Sequence, residues 1–342
     1  MNNPMFKKII PFSILMVLLA FLATSCFHDK SSGMDKSTGK TNELMIITNT
    51  KDQWNGNLGD TLRTFFEQEM LGLPQAEPIF TTFNVAEKKF NKTFKKLHSI
   101  FIANIDPSVK TTMLEVKRDL WTAPQQVIKI SAPNQEEFYK KFNEYKETFL
   151  RLYLDLEIER TNKYFGMASS VPMRNQLKKK FGISLDVPGG FYVGREAKNF
   201  IWLRQSIHKT KQDIEIGILI YQIPYNDTNL FHPNRILQIR DSITHDYVHG
   251  ELPGTYVAVS RDFIPTISER TANYVTDFAV ETRGLWHLVN DFMGGPFLSY
   301  TIVTPDGTKV LTLDGYVYNP SGMKRNFVRQ LEAIFYTLEF VE

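Results

Sequence analysis

Apolar and polar positions alternate along this chain in a way that predicts short strands punctuated by a few helices. Glu43–Asn49 (ELMIITN) reads as the first strand. A polar, glycine-containing loop is expected over Trp54–Asp60. Asp60 would then cap a helix carrying Leu62, Phe65, Phe66 and Met70, closed by Gly72 and Pro74. Strands are expected at Pro78–Val85, Ser99–Asn104, Met113–Trp121 and Gln126–Ser131, with a short helix over Ala86–Leu97. Asn134 and Glu137 have capping-box spacing. Phe138, Phe142, Tyr145, Phe149, Leu152 and Leu156 follow at intervals of four and three, predicting one long amphipathic helix to about Tyr164.

A second helix is expected over Pro172–Phe181, with Pro in its first turn. Beyond Gly182 the pattern is mostly β. Gly190–Arg195, Phe200–Ile207, Ile214–Ile223, Tyr256–Ser260 and Asn273–Arg283 read as strands, and Ile214, Ile216, Ile218 and Ile220 alternate with period two. Pro233–Tyr247 reads as a helix with Ile236, Ile239 and Ile243 inward. Pro296–Val303 and Lys309–Tyr318 flank the turn Pro305-Asp306-Gly307. A last helix starts near Ser321 and carries Phe327, Leu331, Ile334, Leu338 and Val341 on one face. The expected class is α+β: mainly antiparallel sheets packed with long amphipathic helices. Each half ends in a strand pair and an amphipathic helix, which suggests two related α+β halves, 42–170 and 171–342, forming one domain or two.

The stretch Lys7–Cys26 (KKIIPFSILMVLLAFLATSC) has a different character. Two lysines, the apolar run Ile9–Leu22 and the small residues Ala23-Thr24-Ser25 have the order of a secretory signal. The run falls short of the roughly 20 apolar residues of a membrane-spanning helix. Ala23-Thr24-Ser25-Cys26 resembles a bacterial lipobox, with Ala23 where Leu is usual. The expected processing is removal of residues 1–25 and acylation of Cys26, the single cysteine of the chain. Residues 26–41 have no core-forming content and are expected to be a flexible tether to the bilayer.

Removing Lys7 and Lys8 leaves 38 basic against 37 acidic residues, which argues against a nucleic-acid partner. With Cys26 acylated no disulfide is possible, so burial and hydrogen bonding must carry stability. No cofactor motif is present.

Candidate chemistry is sparse. His245 and His249 are four apart at the end of a predicted helix and resemble part of a zinc-protease motif, with Asp246 in place of Glu. They support the alternative of a metal-dependent hydrolase; the competing reading is a polar helix end. Trp286, His287 and Asp291 fall within Gly284–Phe297, where His287 and Asp291 would pair if the segment were helical. Trp54 anchors the glycine-containing loop, which lacks any phosphate-cradling motif. Trp54, Trp286, His287 and Asp291 are therefore the candidate ligand-binding residues, and no catalytic residue is assigned.

Thr41-Asn42-Glu43-Leu44, Trp54-x-Gly-x-x-Gly-Asp60, Leu73-Pro74-Gln75-x-Glu77-Pro78-x-Phe80, Gly284-Leu-Trp286 and Asp291-Phe-Met-Gly-Gly-Pro-Phe297 stand in this order over nearly the whole mature chain. Together they resemble an uncharacterised family of Bacteroidota cell-envelope lipoproteins, a domain of unknown function. The resemblance implies an envelope location and no activity. The reading reached is a lipid-anchored envelope protein that binds an unidentified protein or glycan. The outer membrane is the expected location, with the face left open.

Overall fold

The computed structural model describes residues 33–209, 212–262, 266–271, 274–276 and 278–341. The signal stretch and Cys26 lie outside the described residues. The first part of the fold contains β1 (Glu43–Thr48), α1 (Lys51–Asn55), α2 (Asn57–Phe66), β2 (Thr81–Ala86), β3 (Ser99–Ile105), β4 (Met113–Arg118), β5 (Gln126–Ala132) and α3 (Gln135–Ala168). Its sheet has the order β2-β1-β3-β5-β4. Here the expectation of antiparallel pairing needs correction. β1 pairs parallel with β2 and β3, and β3 with β5; only the edge strand β4 runs antiparallel.

The reason lies in the apolar pattern. Leu44, Met45, Ile46 and Ile47 are consecutive and all buried, because both faces of the sheet are covered. Leu44, Ile46, Phe101, Ile128 and Ile130 pack under α2 and α3, against Leu58, Leu62, Phe66, Phe138, Phe142 and Phe149. Met45, Ile47, Ile100 and Val127 face Phe83, Phe90, Phe94, Leu97 and Trp121 on the other side. The helix expected over 86–97 is instead two short 3-10 turns, Glu87–Lys89 and Phe94–Lys96.

The second part contains α4 (Val171–Phe181), β6 (Ile183–Ser184), β7 (Tyr192–Ala197), β8 (Phe200–Lys209), β9 (Gln212–Pro224), α5 (Pro233–Tyr247), β10 (Tyr256–Ser260), β11 (Ile267–Thr271), β12 (Ala279–Val289), β13 (Gly294–Val303), β14 (Lys309–Tyr318), α6 (Arg325–Phe335) and β15 (Glu339–Phe340). An eight-stranded sheet has the order β10-β12-β13-β14-β9-β8-β7, with β11 paired to β12, and every pair in it is antiparallel. The α+β class holds. The two sheets differ in order and direction, however, so the halves are not copies of one another.

One face of this sheet packs on α4 and α6 through Leu177, Phe181, Ile216, Ile218, Leu331 and Ile334. The other face packs on α5. Ile236 is buried there as expected, while Ile239 and Ile243 are only partly buried. A charged α5 side chain is buried as well. Arg240 donates from Nε to Asp314 Oδ2 at 2.7 Å and from Nη2 to Oδ1 at 3.2 Å, and its guanidinium lies 3.9 Å from the Phe297 ring centroid. Burial pushes the Asp314 carboxyl up, against the opposing pull of Arg240.

The two parts meet through Glu77, a buried carboxylate that accepts from the backbone N–H of Lys324 at 2.7 Å and of Arg325 at 2.9 Å. Those donors open α6, so Glu77 from one part caps a helix of the other. Asn42 donates to Asn326 at 3.0 Å beside it. α3 spans the junction: Phe149 and Tyr153 pack on the first sheet, and Phe165 joins the core of the second. Near the seam Arg283 pairs with Glu332 at 2.8 Å and with Glu281, and Arg329 pairs with Glu332.

Residues 35–39 are also not a free tether. Lys36 and Thr38 bridge to Ala123 and Leu97, and the Thr38 carbonyl accepts from His98 N at 3.0 Å. Backbone groups make most of this docking, with Asp35 also paired to Lys96, so side-chain composition gave little sign of it.

Removing one partner of a buried ion pair leaves an uncompensated charge. Asp314→Ala should therefore lower stability by about 3–5 kcal/mol, and the double change Arg240→Met with Asp314→Leu should recover much of the loss. Urea unfolding curves check this. Burial also opposes ionisation of Glu332, but Arg329 and Arg283 outweigh it and hold the carboxyl below its ordinary 4.5. The stability gained this way is complete above 4.5 and is lost as pH falls through the lower folded value. Glu332→Gln should flatten the dependence of stability on pH below 4.5; an unchanged slope would contradict the assignment.

Candidate functional site

The strand order dictates where the first sheet opens. β1 lies between β2 and β3. The connection from β1 to β2 runs through α1 and α2 on one face, and the connection from β2 to β3 runs through residues 87–97 on the other. The chain therefore leaves the carboxyl ends of the adjacent strands β1 and β2 toward opposite faces. Such a switch point leaves a crevice, the usual ligand position in open parallel sheets.

Asn49, the residue after β1, bridges this opening. Its Nδ2 donates to Asn104 Oδ1 at 2.8 Å and to Glu87 Oε2 at 2.9 Å, and its Oδ1 accepts from Ile105 N at 2.7 Å. Asn84 donates to Ile46 O at 2.9 Å and to Thr48 Oγ1 at 3.0 Å. One amide thus ties the end of β1 to β3 and to the turn after β2, while another ties β2 to β1. These bonds fix the rim of the crevice.

A cleft of about 770 Å³ opens there, lined by Asn49, Lys51, Trp54, Asn84, Lys88 and Phe94 among others. Asp52 also lines it. Trp54 is half-buried and held by Arg63, whose guanidinium carbon lies 4.3 Å from the ring centroid and whose Nη1 donates to Trp54 O at 3.1 Å. Arg63 is in turn fixed by Asp60 at 2.6 Å.

The expected loop over Trp54–Asp60 is therefore a kinked pair of helices. Thr50 forms a capping box with Gln53 at the start of α1, and Gly56 sits at the junction with α2. Asp60 is not a cap; it lies in the first turn of α2. Gly59 makes the close packing of α1 on α2 possible, because a Cβ there would come within 1.8 Å of Trp54 O. Two glycines that read as loop-formers thus serve helix packing.

Trp286 is buried, packs edge-on to Tyr316 and donates to Val317 O at 3.3 Å. Its cross-strand partner Gly295 has no room for a side chain, since a Cβ would lie 2.0 Å from Val317 O. Trp286 is a core residue. His287 lies on β12 and Asp291 in the turn that follows, where Asp291 Oδ1 accepts from Phe292 N at 2.6 Å. The segment is a strand and turn, so the helical pairing of His287 with Asp291 does not form.

α5 ends at Tyr247, which leaves His249 beyond the helix. His249 Nε2 lies 2.9 Å from His245 O and its Nδ1 3.4 Å from Arg195, while His245 Nδ1 lies 3.1 Å from Asp246. Each ring is engaged separately and the two do not converge. Among the described residues no group of three or more His, Cys, Asp or Glu side chains is placed to hold a metal ion.

Of the residues singled out in the sequence, the structure places Trp54 in the cleft and leaves Trp286, His287, Asp291, His245 and His249 elsewhere. Asn49, Lys51, Lys88 and Lys89 were missed. The signal for Asn49 was present as a polar residue closing an uninterrupted apolar strand. The lysines carried none, because nothing in their spacing sets them apart from other surface lysines.

Comparison with known proteins gives two matches. Residues 37–166 match the family described as Domain of unknown function (DUF8532), and residues 170–337 match Domain of unknown function (DUF4837). Both support an uncharacterised family. No curated protein matches the chain.

Overpacking a tight contact costs about 1–3 kcal/mol. Gly59→Ala should destabilise the chain by that order and shift the emission of Trp54 as α1 is displaced. Urea unfolding and tryptophan fluorescence of the variant check both effects; an unperturbed spectrum would contradict the packing described.

Proposed function

We propose that this chain is a lipid-anchored protein of the bacterial cell envelope that binds a ligand in the carboxyl-end cleft and does no chemistry on it. The observation that carries the reading is the cleft itself, opened by a switch of crossover direction and held at its rim by Asn49. Its lining groups are mainly amides, ammonium groups and aromatic rings, with Asp52 as a single carboxylate, a set that positions and holds a molecule. Its volume, about 770 Å³, lies within the range of small-molecule sites, about 300–1,000 Å³.

The anchor rests on the sequence. Cys26 follows the apolar run Ile9–Leu22 and the small residues Ala23-Thr24-Ser25. Acylation there would hold the protein to the bilayer durably, because more than one acyl chain is attached in such proteins and one alone binds marginally. An outer-membrane location in a Bacteroidota cell completes the proposal. The partner is a small glycan or another envelope molecule that reaches the cleft.

Replacing the thiol separates anchoring from folding. Cys26→Ser protein should keep its circular dichroism spectrum and move from the membrane fraction to the soluble fraction. Retention with membranes after a salt wash would contradict the anchor.

A further inference from the structure

Lys51, Lys88 and Lys89 line the cleft and are exposed. Among the described residues, none of the three ammonium groups has a carboxylate partner. Asp52 is the one carboxylate in the lining; Glu87, the neighbour of Lys88, is held by Asn49 Nδ2 at 2.9 Å. Some other exposed charges in this part of the fold are paired, as Asp60 is with Arg63 and Lys96 with Asp35. Three unpaired cations around one concavity repel each other, and a bound anion would relieve that repulsion. The same concavity carries Trp54 and Phe94. Trp54 is already immobilised by Arg63, so little side-chain entropy remains to be lost when a ring settles against it.

We infer that the ligand of this cleft is a ring compound bearing a phosphate or carboxylate group, a sugar or nucleoside acid, with the anion at Lys51, Lys88 and Lys89 and the ring against Trp54. This rests on the cleft being the binding site. Charge supplies affinity that falls with ionic strength, and the aromatic contact selects for a flat or apolar ring face. Asn84 also lines the cleft, and with its Nδ2 donating to Ile46 O and Thr48 Oγ1 it offers its amide oxygen to a hydroxyl.

Calorimetric titration of the soluble chain tests the inference with five probes: AMP, adenosine, a hexose phosphate, the free hexose and pyrophosphate. Each phosphorylated compound should bind about tenfold or more tightly than its neutral counterpart, a difference of about 1.4 kcal/mol. The triple variant Lys51→Ala, Lys88→Ala, Lys89→Ala should lose about tenfold for the phosphorylated probes and little for the neutral ones. Trp54→Ala should weaken the ring-bearing probes and spare pyrophosphate, with circular dichroism to verify its fold. Because the lysines are exposed, the triple variant keeps the test decisive even if Trp54→Ala unfolds.

Equal affinity within each pair, or full affinity in the triple lysine variant, would overturn the inference. So would the absence of binding by any probe at about 10 mM, weaker than any useful site. Neutral rings bound and then lost in Trp54→Ala would leave the cleft standing and remove only the anion. Binding untouched by both variants would place the site elsewhere and overturn the cleft reading itself.

Discussion

A single amide side chain braces the rim of the cleft proposed as the binding site. Strands β1, β2 and β3 are parallel, and their connections leave on opposite faces of the sheet. That topology pulls the chain apart where β1 and β2 end. Left alone, the separated ends would expose unpaired backbone groups at the rim. Asn49 prevents this by donating to Asn104 and Glu87 and accepting from Ile105 N. Both its polar atoms are used, so the residue is fixed in one orientation. The cleft is therefore a consequence of strand order made permanent by side-chain hydrogen bonds, and Trp54 and the three lysines take their positions from it.

The rest of the structure is organised by charges that ended up inside. Glu77 supplies the capping group that α6 does not have within its own sequence, since Lys324 at the helix start makes no side-chain cap. Glu157 lies beside His98 at 2.7 Å and Arg160 at 3.1 Å, tying α3 to the start of β3. Arg240 and Asp314 do the same between α5 and the second sheet. Glu77, the His98–Glu157 contact and the Arg240–Asp314 pair each join elements distant in sequence. Such pairs add little net energy over an apolar contact, but a misdocked arrangement would strand a charge, so they enforce one relative placement of helix and sheet.

The apolar pattern carried most of the elements. β10, β14 and α5 occupy the expected residues, and the long helix α3 begins at the expected cap, where Asn134 accepts from Glu137 N at 3.0 Å. Pairing direction was harder to read. The continuous run Leu44–Ile47 was a sign of a strand covered on both faces, but the brevity of the connecting elements favoured hairpins. The kinked pair α1–α2 was missed because Gly56 and Gly59 disfavour helix in isolation; a tertiary contact too tight for a Cβ is what selects them. The site was legible only through Trp54. His245 and His249 had metal-ligand spacing, but that spacing needs a continuing helix, and α5 stops at Tyr247.

The motif residues that carry the family resemblance now have physical roles. Asn42 and Glu77 stitch the two parts together, Gly59 and Asp60 set the α1–α2 packing behind Trp54, and Trp286 fits against Gly295 in the core. Only Trp54 among them borders the cleft. The most direct measurement of the account is amide hydrogen exchange across the whole chain, with and without a saturating hexose phosphate. Slowed exchange confined to residues 48–55 and 84–94 is the predicted result. Slowed exchange instead at residues 267–271 and 329–332, around the cavity of about 440 Å³ at the seam, would contradict it.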